Sequence, residues 1–250
     1  MTTTLRRRLY MARLALAVLI GAAVFVSYCR VTVVQLKLNE RLIDALHRND
    51  AGNVIRCLRQ GADPDSREHS DASEQPRTIF QIVGNRRPDS GFSALSIAAY
   101  NDSMPCVRAL LLYGANPNVR RPTTVAPVIL ACRCPEIVAA LVEAGEDVNT
   151  PLSNGHTALM SAVQANNQGS VNLLLAHGAN VNARDVDGCT ALMIASAGGF
   201  ERIVSALLER GADATAVNSA GWTARRYTET NMSRHWQSTA RALRRHGASR

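Results

Sequence analysis

A fixed interval of 33 residues between equivalent glycines constrains this chain more than any other feature of its sequence. Two sets of three glycines keep that interval: Gly155, Gly188 and Gly221, and Gly145, Gly178 and Gly211. Self-similarity at such a period indicates an array of stacked repeats, because each repeat contacts only its neighbours along the array. The chain is therefore expected to form an elongated array and not a single globular core.

Each unit repeats one order: a glycine, a threonine, a short helix, a turn, a second apolar helix, and then "GA" and "VN". The clearest copies are "NGHTALMSAVQANNQGSVNLLLAHGANVNARD" and "DGCTALMIASAGGFERIVSALLERGADATAVN". Thr157, Thr190 and Thr223 stand where a side-chain oxygen can cap the first helix. Gly178 and Gly211 stand where the second helix should end. A single unit cannot bury its apolar face alone, so the units must stack.

These residues closely resemble the ankyrin repeat, a turn-helix-helix unit, because "G-x-T-A-L" and "L-L-x-x-G-A-x-V-N" recur in register. The resemblance covers residues 38–248 and implies an all-α repeat solenoid with β-hairpin fingers. Polar first and last units fit the capping repeats that such arrays need. In a repeat domain over 38–250 we expect six units, 38–65, 90–121, 122–152, 153–185, 186–218 and 219–250.

An insertion interrupts the period between the first two units. Gly61 and Gly114 are 53 residues apart, 20 more than the period of 33. The inserted loop, residues 66–90, reads "SREHSDASEQPRTIFQIVGNRRPDS" and contains an apolar "TIFQIVG". Two interpretations stay open: an extended binding finger, or a passive solvent loop of the kind that repeat proteins tolerate.

The N-terminal segment reads as a membrane anchor. A short basic segment, residues 1–13, precedes an uncharged apolar run from Leu14 to Cys29, whose 16 residues span about 24 Å as a helix. Flanking apolar residues extend the run toward a hydrocarbon core of about 30 Å, so we predict a transmembrane signal anchor over residues 14–36. No A-x-A site follows the run, which argues against a cleaved signal peptide. Tyr28 directly before Cys29 argues against lipidation.

The basic flanks predict the orientation of that anchor. Arg6, Arg7, Arg8 and Arg13 precede it, whereas only Arg30 and Lys37 follow closely. Because positive charge stays in the cytoplasm, we expect a single-pass protein of the inner (cytoplasmic) membrane with a cytoplasmic N-terminus. The 27 arginines against one lysine indicate a GC-rich bacterial genome, which makes the outer compartment the periplasm.

Charge and motifs exclude several classes of function. The net charge of +8 divides into +6 from residues 1–39, −4 from 40–220 and +6 from 221–250. The repeats therefore lack the basic stripe of a nucleic-acid-binding fold. Cys132 and Cys134 form a C-x-C that could bind a soft metal, but burial as small apolar residues is the favoured interpretation. We expect no catalytic residue, no cofactor and no metal.

The resemblance implies a protein partner, bound by the concave face of the first helices and by the finger tips. Tyr100 and Tyr227 are the predicted anchors, since interface energy concentrates in aromatic and arginine side chains. The concave candidates are Tyr100, Asn101, Arg133, Gln164, Ile194 and Tyr227, the finger candidates are Arg120, Arg121, Arg184, Asp185 and Asp187, and the insertion candidates are Phe80, Arg86 and Arg87. Apart from its partner the chain is expected to be a monomer.

Taken together, these features predict a non-enzymatic binding module, tethered to the membrane and facing the periplasm. One concrete role is an immunity protein that neutralises a toxin at the membrane, an expectation that rests on fold and compartment. The alternatives are a cytoplasm-facing adaptor, a secreted effector scaffold, or an accessory protein for an exported enzyme in peroxide defence.

Overall fold

The computed structural model describes residues 31–67, 92–118, 126–230 and 236–245. Helices occupy most of these ranges, and α1 covers residues 31–47. The helices that follow are α2 Ala51–Arg59, α3 Ala94–Tyr100, α4 Met104–Leu112, α5 Pro127–Leu130, α6 Pro135–Glu143, α7 Ala158–Gln164, α8 Gln168–Ala176, α9 Ala191–Gly198, α10 Glu201–Glu209, α11 Ala224–Thr230 and α12 Trp236–Arg245.

The helices form pairs that stack into two rows. The first helices α3, α5, α7, α9 and α11 each contact the next in line, and so do the second helices from α2 to α12. A continuous apolar core between the rows runs from Leu42 to Leu243 and consists largely of Ala, Leu and Val. The predicted all-α repeat solenoid is confirmed in the part of the chain that the structure describes.

Side-chain caps begin the first helices where the sequence places them. The hydroxyls of Thr157 and Thr190 accept the backbone N–H of Met160 and Met193 at 3.4 and 3.3 Å. Ser93 and Thr223 do the same in their units. Each cap satisfies a backbone donor that the first turn of a helix leaves without a partner.

The fingers differ from the predicted β-hairpins. In the described residues no strand forms, and only an isolated bridge joins Arg67 and Ser93. The finger backbone closes on two hydrogen bonds, for example from the N–H of Asp185 to the carbonyl of Cys189 at 3.1 Å and from the N–H of Gly188 to the carbonyl of Asp185 at 2.9 Å. Because the capping threonine begins a helix directly after Cys189, too few extended residues remain for a strand ladder. The β-hairpin prediction is wrong for these fingers.

Asparagine side chains join successive units. Each of three asparagines accepts a backbone N–H from the next unit and donates its amide to the glycine carbonyl that follows that unit's second helix. The bonds are Asn118 with Asp147 N (3.0 Å) and Gly145 O (2.6 Å), Asn149 with Asn180 N (2.7 Å) and Gly178 O (3.0 Å), and Asn182 with Asp213 N (2.8 Å) and Gly211 O (3.1 Å). The "VN" of the sequence repeat thus fixes the register between units.

Asp65 occupies the same position in the first unit, and it accepts the N–H of Asn116 at 2.8 Å. A carboxylate cannot donate to the Gly114 carbonyl as an amide would. We therefore expect Asp65→Asn to raise the free energy of unfolding by about 0.5–1.5 kcal/mol, the net value of one hydrogen bond. Asn118→Asp, which removes the equivalent donor, should lower it by a similar amount. Urea denaturation followed by circular dichroism tests both, and two changes of the same sign would contradict the assignment.

The start of α1 takes the place of a finger preceding the first unit. The Gln35 amide donates to the Gly61 carbonyl at 2.7 Å, and the Asn39 carbonyl oxygen accepts the N–H of Asp63 at 2.9 Å. Two side chains on one helix thereby make the bonds that a single asparagine makes elsewhere in the array. As a result α1 is docked against the end of α2 from Gln35 onward.

The predicted membrane span, residues 14–36, falls mostly outside the described residues. Its last part, residues 31–36, is helical and exposes Val31, Val33, Val34 and Leu36. Within the described ranges, no helix combines the length and the apolar character needed to cross a membrane. The inserted loop 66–90 is described only at its first two residues.

Candidate functional site

Four side chains at equivalent positions define a line along the row of first helices. Tyr100, Gln164 and Ala197 lie in the last turns of α3, α7 and α9, and Arg133 lies in the turn that follows α5. We call this line the first-helix face. Arg133 and Gln164 are exposed, while Tyr100 and Ala197 are half-buried. Packed helices lie about 8–10 Å apart, so the four positions follow one another at that spacing along one surface.

Two of the predicted contact residues form bonds inside the molecule. The Asn101 amide donates to the Leu46 carbonyl at 2.9 Å, which ties α3 to the end of α1. The Tyr227 hydroxyl accepts the amide of Asn218 at 3.0 Å, and its ring meets Trp222 edge-on with centroids 5.1 Å apart. Both residues, like Ile194, are half-buried. Asn101 and Tyr227 therefore hold neighbouring units together, and only part of each faces outward.

The finger residues divide in the same way. Asp185 accepts the N–H groups of Asp187 and Cys189 at 3.0 and 2.8 Å, so its carboxylate shapes its own turn. Arg184 crosses to the next finger and donates to the Val217 carbonyl at 2.8 Å. Asp187 is exposed. Of these three predicted residues, Asp187 keeps the most freedom to meet a partner.

Backbone contacts join the finger tips into one surface. The N–H of Val186 donates to the Asn154 carbonyl, and the N–H of Ser219 donates to the Asp187 carbonyl, both at 2.9 Å. Val186 and Val217 are exposed on this surface, at 70% and 45%. The sequence prediction missed both valines, although an apolar residue within a run of turn-forming Asn, Asp and Gly was the available signal.

Five predicted residues lie outside the described part of the chain. They are Phe80, Arg86 and Arg87 in the inserted loop and Arg120 and Arg121 between the second and third units.

The two cysteines of the C-x-C have separate environments. The Cys132 thiol is buried and donates to the carbonyls of Val128 and Ala158 at 3.1 and 3.2 Å. Burial raises the pKa of Cys132 to about 12, which keeps the thiol protonated. Cys134 instead donates to the Glu136 carboxylate at 3.2 Å. Metals bind the thiolate form, and no group of three or more His, Cys, Asp or Glu side chains that could hold a metal occurs in the described ranges.

A buried carboxyl group occupies the third unit. Helix α5 follows Ala126, which offers no side-chain cap. Glu146 takes over that role, since its Oε1 accepts the N–H of Val128 at 2.9 Å. Its Oε2 is buried without a hydrogen-bond partner, and burial raises the pKa of Glu146 to about 8. The sequence carries the signal, because "GED" stands where the other units that the structure describes have "GA".

A comparison with protein families agrees with the geometry. A family model described as ankyrin repeats (3 copies) matches residues 42–151, 95–185 and 130–218. These overlapping matches together span 42–218, well over half of the 250 residues. They include the first-helix face and the asparagines that join the units.

Proposed function

Since this chain belongs to the ankyrin repeat family, whose members generally bind proteins, we propose that it is a non-enzymatic binding module tethered to a membrane. The first-helix face carries the proposal. Gln164 ends α7 and Arg133 lies in the turn after α5. The other side chains of both helices are largely buried, so the backbone that carries the two residues is held rigidly. A rigid backbone at these positions lowers the conformational entropy that the repeats themselves lose on binding.

The chemistry of the surface favours a partner with both acidic and apolar groups. Arg133 offers a guanidinium that can bind a carboxylate through two hydrogen bonds. Tyr100 lies one unit away on the same face, and Val186 and Val217 add exposed apolar surface on the fingers. A single globular partner can contact both surfaces, because fingers and first helices alternate along the chain.

The start of α1 supports the tether. Val31, Val33, Val34 and Leu36 are exposed on α1, and in the sequence they follow the apolar run of residues 14–29 closely. We propose that residues 14–36 span the inner membrane of a bacterium, with residues 1–13 in the cytoplasm and the repeats in the periplasm. The excess of arginines before the span supports that orientation.

Within the periplasm we propose the role of an immunity protein that holds a toxin at the membrane. Tethering raises the effective concentration of the binding face for a partner that reaches the same membrane. Fold and compartment support this role, and identification of the partner decides between it and an accessory role for an exported enzyme.

Site-specific photo-crosslinking tests which face binds the partner. A photoreactive amino acid is placed at Gln164 on the first-helix face or, as the matched control, at the exposed Asn172 of α8 in the same unit. In cells of the native host we expect a covalent adduct from position 164 and none from position 172. An adduct from position 172 alone would contradict the proposal. Mass spectrometry of the adduct then distinguishes a toxin from an exported enzyme.

Charge reversal at Arg133 should weaken the same complex. We expect Arg133→Glu to reduce partner affinity by at least about fivefold, the scale of an interface residue whose loss costs more than about 1 kcal/mol. The exposed Arg202 of α10 offers a control, and Arg202→Glu should leave affinity unchanged. The yield of the adduct at position 164 reports the affinity of both variants. Equal yields for Arg133→Glu and Arg202→Glu would show that Arg133 does not contact the partner.

A further inference from the structure

Among the described units, only the second exposes large apolar side chains at the C-terminal end of its second helix. Leu112 is 84% exposed and is followed by Tyr113, which is 38% exposed. The positions equivalent to Leu112, counted back from the glycine that follows each second helix, are Arg59, Glu143, Ala176 and Glu209. Every other described unit thus places a charged or small residue there, and the second unit has no internal partner for its leucine.

Residues 31–37 of α1 lie near the C-terminal ends of the second helices, on the side where Leu112 and Tyr113 are exposed. Gln35 bonds to Gly61, the glycine after α2, just as Gly114 follows α4. The bond from Asn116 to Asp65 ties these two chain segments together at 2.8 Å. We call this surface the proximal edge, formed by residues 31–37 of α1, Arg59, Leu112 and Tyr113.

The charge of the second helices changes along the array. Helices α2 and α4 carry Arg56, Arg59 and Arg108 and no acidic residue. The next second helix, α6, carries Glu136 and Glu143 and no basic residue. The two second helices nearest α1, which include the one that ends in Leu112, are therefore positively charged. The second helix of the next unit is negatively charged. An arginine can bind a lipid phosphate through two hydrogen bonds. A tyrosine suits the membrane interface, because its ring is apolar and its hydroxyl is polar.

No flexible linker separates the proposed membrane span from the part of α1 that contacts the repeats. The proposed span ends at residue 36, yet Gln35 already bonds to Gly61 on the repeats. The repeat domain therefore meets the headgroup layer wherever α1 leaves the bilayer. Resting on the proposed tether, we infer that the proximal edge lies on the anionic lipid surface, with Leu112 and Tyr113 inserted among the headgroups and Arg59 and Arg108 facing lipid phosphates.

Fluorescence quenching by brominated lipids tests this contact in the full-length chain. The protein is reconstituted into vesicles of phosphatidylcholine and phosphatidylglycerol, with or without bromine on the acyl chains. Leu112→Trp places a reporter at the proximal edge. Ala176→Trp places one at the equivalent exposed position two units away. The parent chain, with tryptophans at 222 and 236, supplies the background to be subtracted.

We expect brominated lipid to quench most of the fluorescence added by Leu112→Trp and little of that added by Ala176→Trp. Arg59→Glu with Arg108→Glu should reduce the quenching at position 112. Equal quenching at the two positions would overturn the proposal. Vesicles of phosphatidylcholine alone lack anionic lipid, and quenching at position 112 in those vesicles only would overturn it as well. If tryptophan at 112 is unquenched in a chain that stays in the vesicles after alkaline washing, the lipid contact is contradicted. The proximal edge would then be a surface that binds a protein. Loss of the chain in that wash, by contrast, reports failure of the tether itself.

Discussion

Replacing Gly155 by alanine should destabilise the array by about 2–5 kcal/mol, the sum of a left-handed backbone penalty and a steric clash. Gly155 has a φ of 77°, and a β-carbon there would lie 2.9 Å from the Cα of Asp185 and 3.1 Å from the carbonyl oxygen of Arg184. Both contacts are to backbone of the neighbouring finger, so no side-chain rotation relieves them. The two fingers must separate, which strains the bond between Val186 and Asn154.

Gly178 provides the matched control for this substitution. Its φ is 82°, but a β-carbon there would meet no atom within 4 Å. Gly178→Ala therefore measures the backbone penalty alone, about 1–2 kcal/mol. Urea denaturation of both variants followed by circular dichroism gives the difference. Equal losses of stability would show that close approach of the fingers contributes nothing.

The second large effect is a pH dependence that Glu146 imposes on stability. Burial raises the pKa of its carboxyl group from 4.5 to about 8 in the folded chain. Between these values the folded chain keeps a proton that the unfolded chain has released, so stability falls as the pH rises. The contribution of Glu146 is greatest below pH 4.5 and is lost once the pH passes the folded pKa.

Glu146→Gln removes that titration while keeping an oxygen for the Val128 N–H. The stability of the variant relative to the parent should rise by about 1.4 kcal/mol for each pH unit between the two pKa values and then level off. Exposed Glu143 in the same unit supplies the control, because Glu143→Gln makes the same chemical change at the surface. The pH dependence that Glu146→Gln shows beyond this control is the effect of burial. Denaturation curves at pH 5, 7 and 9 measure both. A flat difference for Glu146→Gln would contradict the buried, protonated state.

The sequence predicted the features that repeat and missed those that occur once. The helix pairs, the threonine caps and the "VN" asparagines recur in register, so each copy supports the others. The cap by Glu146 joins residues 18 positions apart in a unit that lacks its threonine, and no periodic signal predicts such a compensation. The absence of strands from the described fingers depends on how early the next helix begins, which boundary prediction resolves poorly.

Contact residues were predictable only by position along the unit. The repeat frame picked out Arg133 and Gln164, and both side chains are exposed in the structure. It could not show that Asn101 and Tyr227 bond to neighbouring units, because those partners lie 55 and 9 residues away. Proposed contact positions within a repeat array thus need the structure to separate surface from internal bonding.

A pair of reporter fusions at Arg250 tests on which side of the membrane the repeats lie. One reporter enzyme is active only outside the cytoplasm and the other only inside. We expect activity of the exported reporter, retained in the membrane fraction after an alkaline wash. Activity of the cytoplasmic reporter alone would contradict the proposed orientation and favour a cytoplasm-facing adaptor.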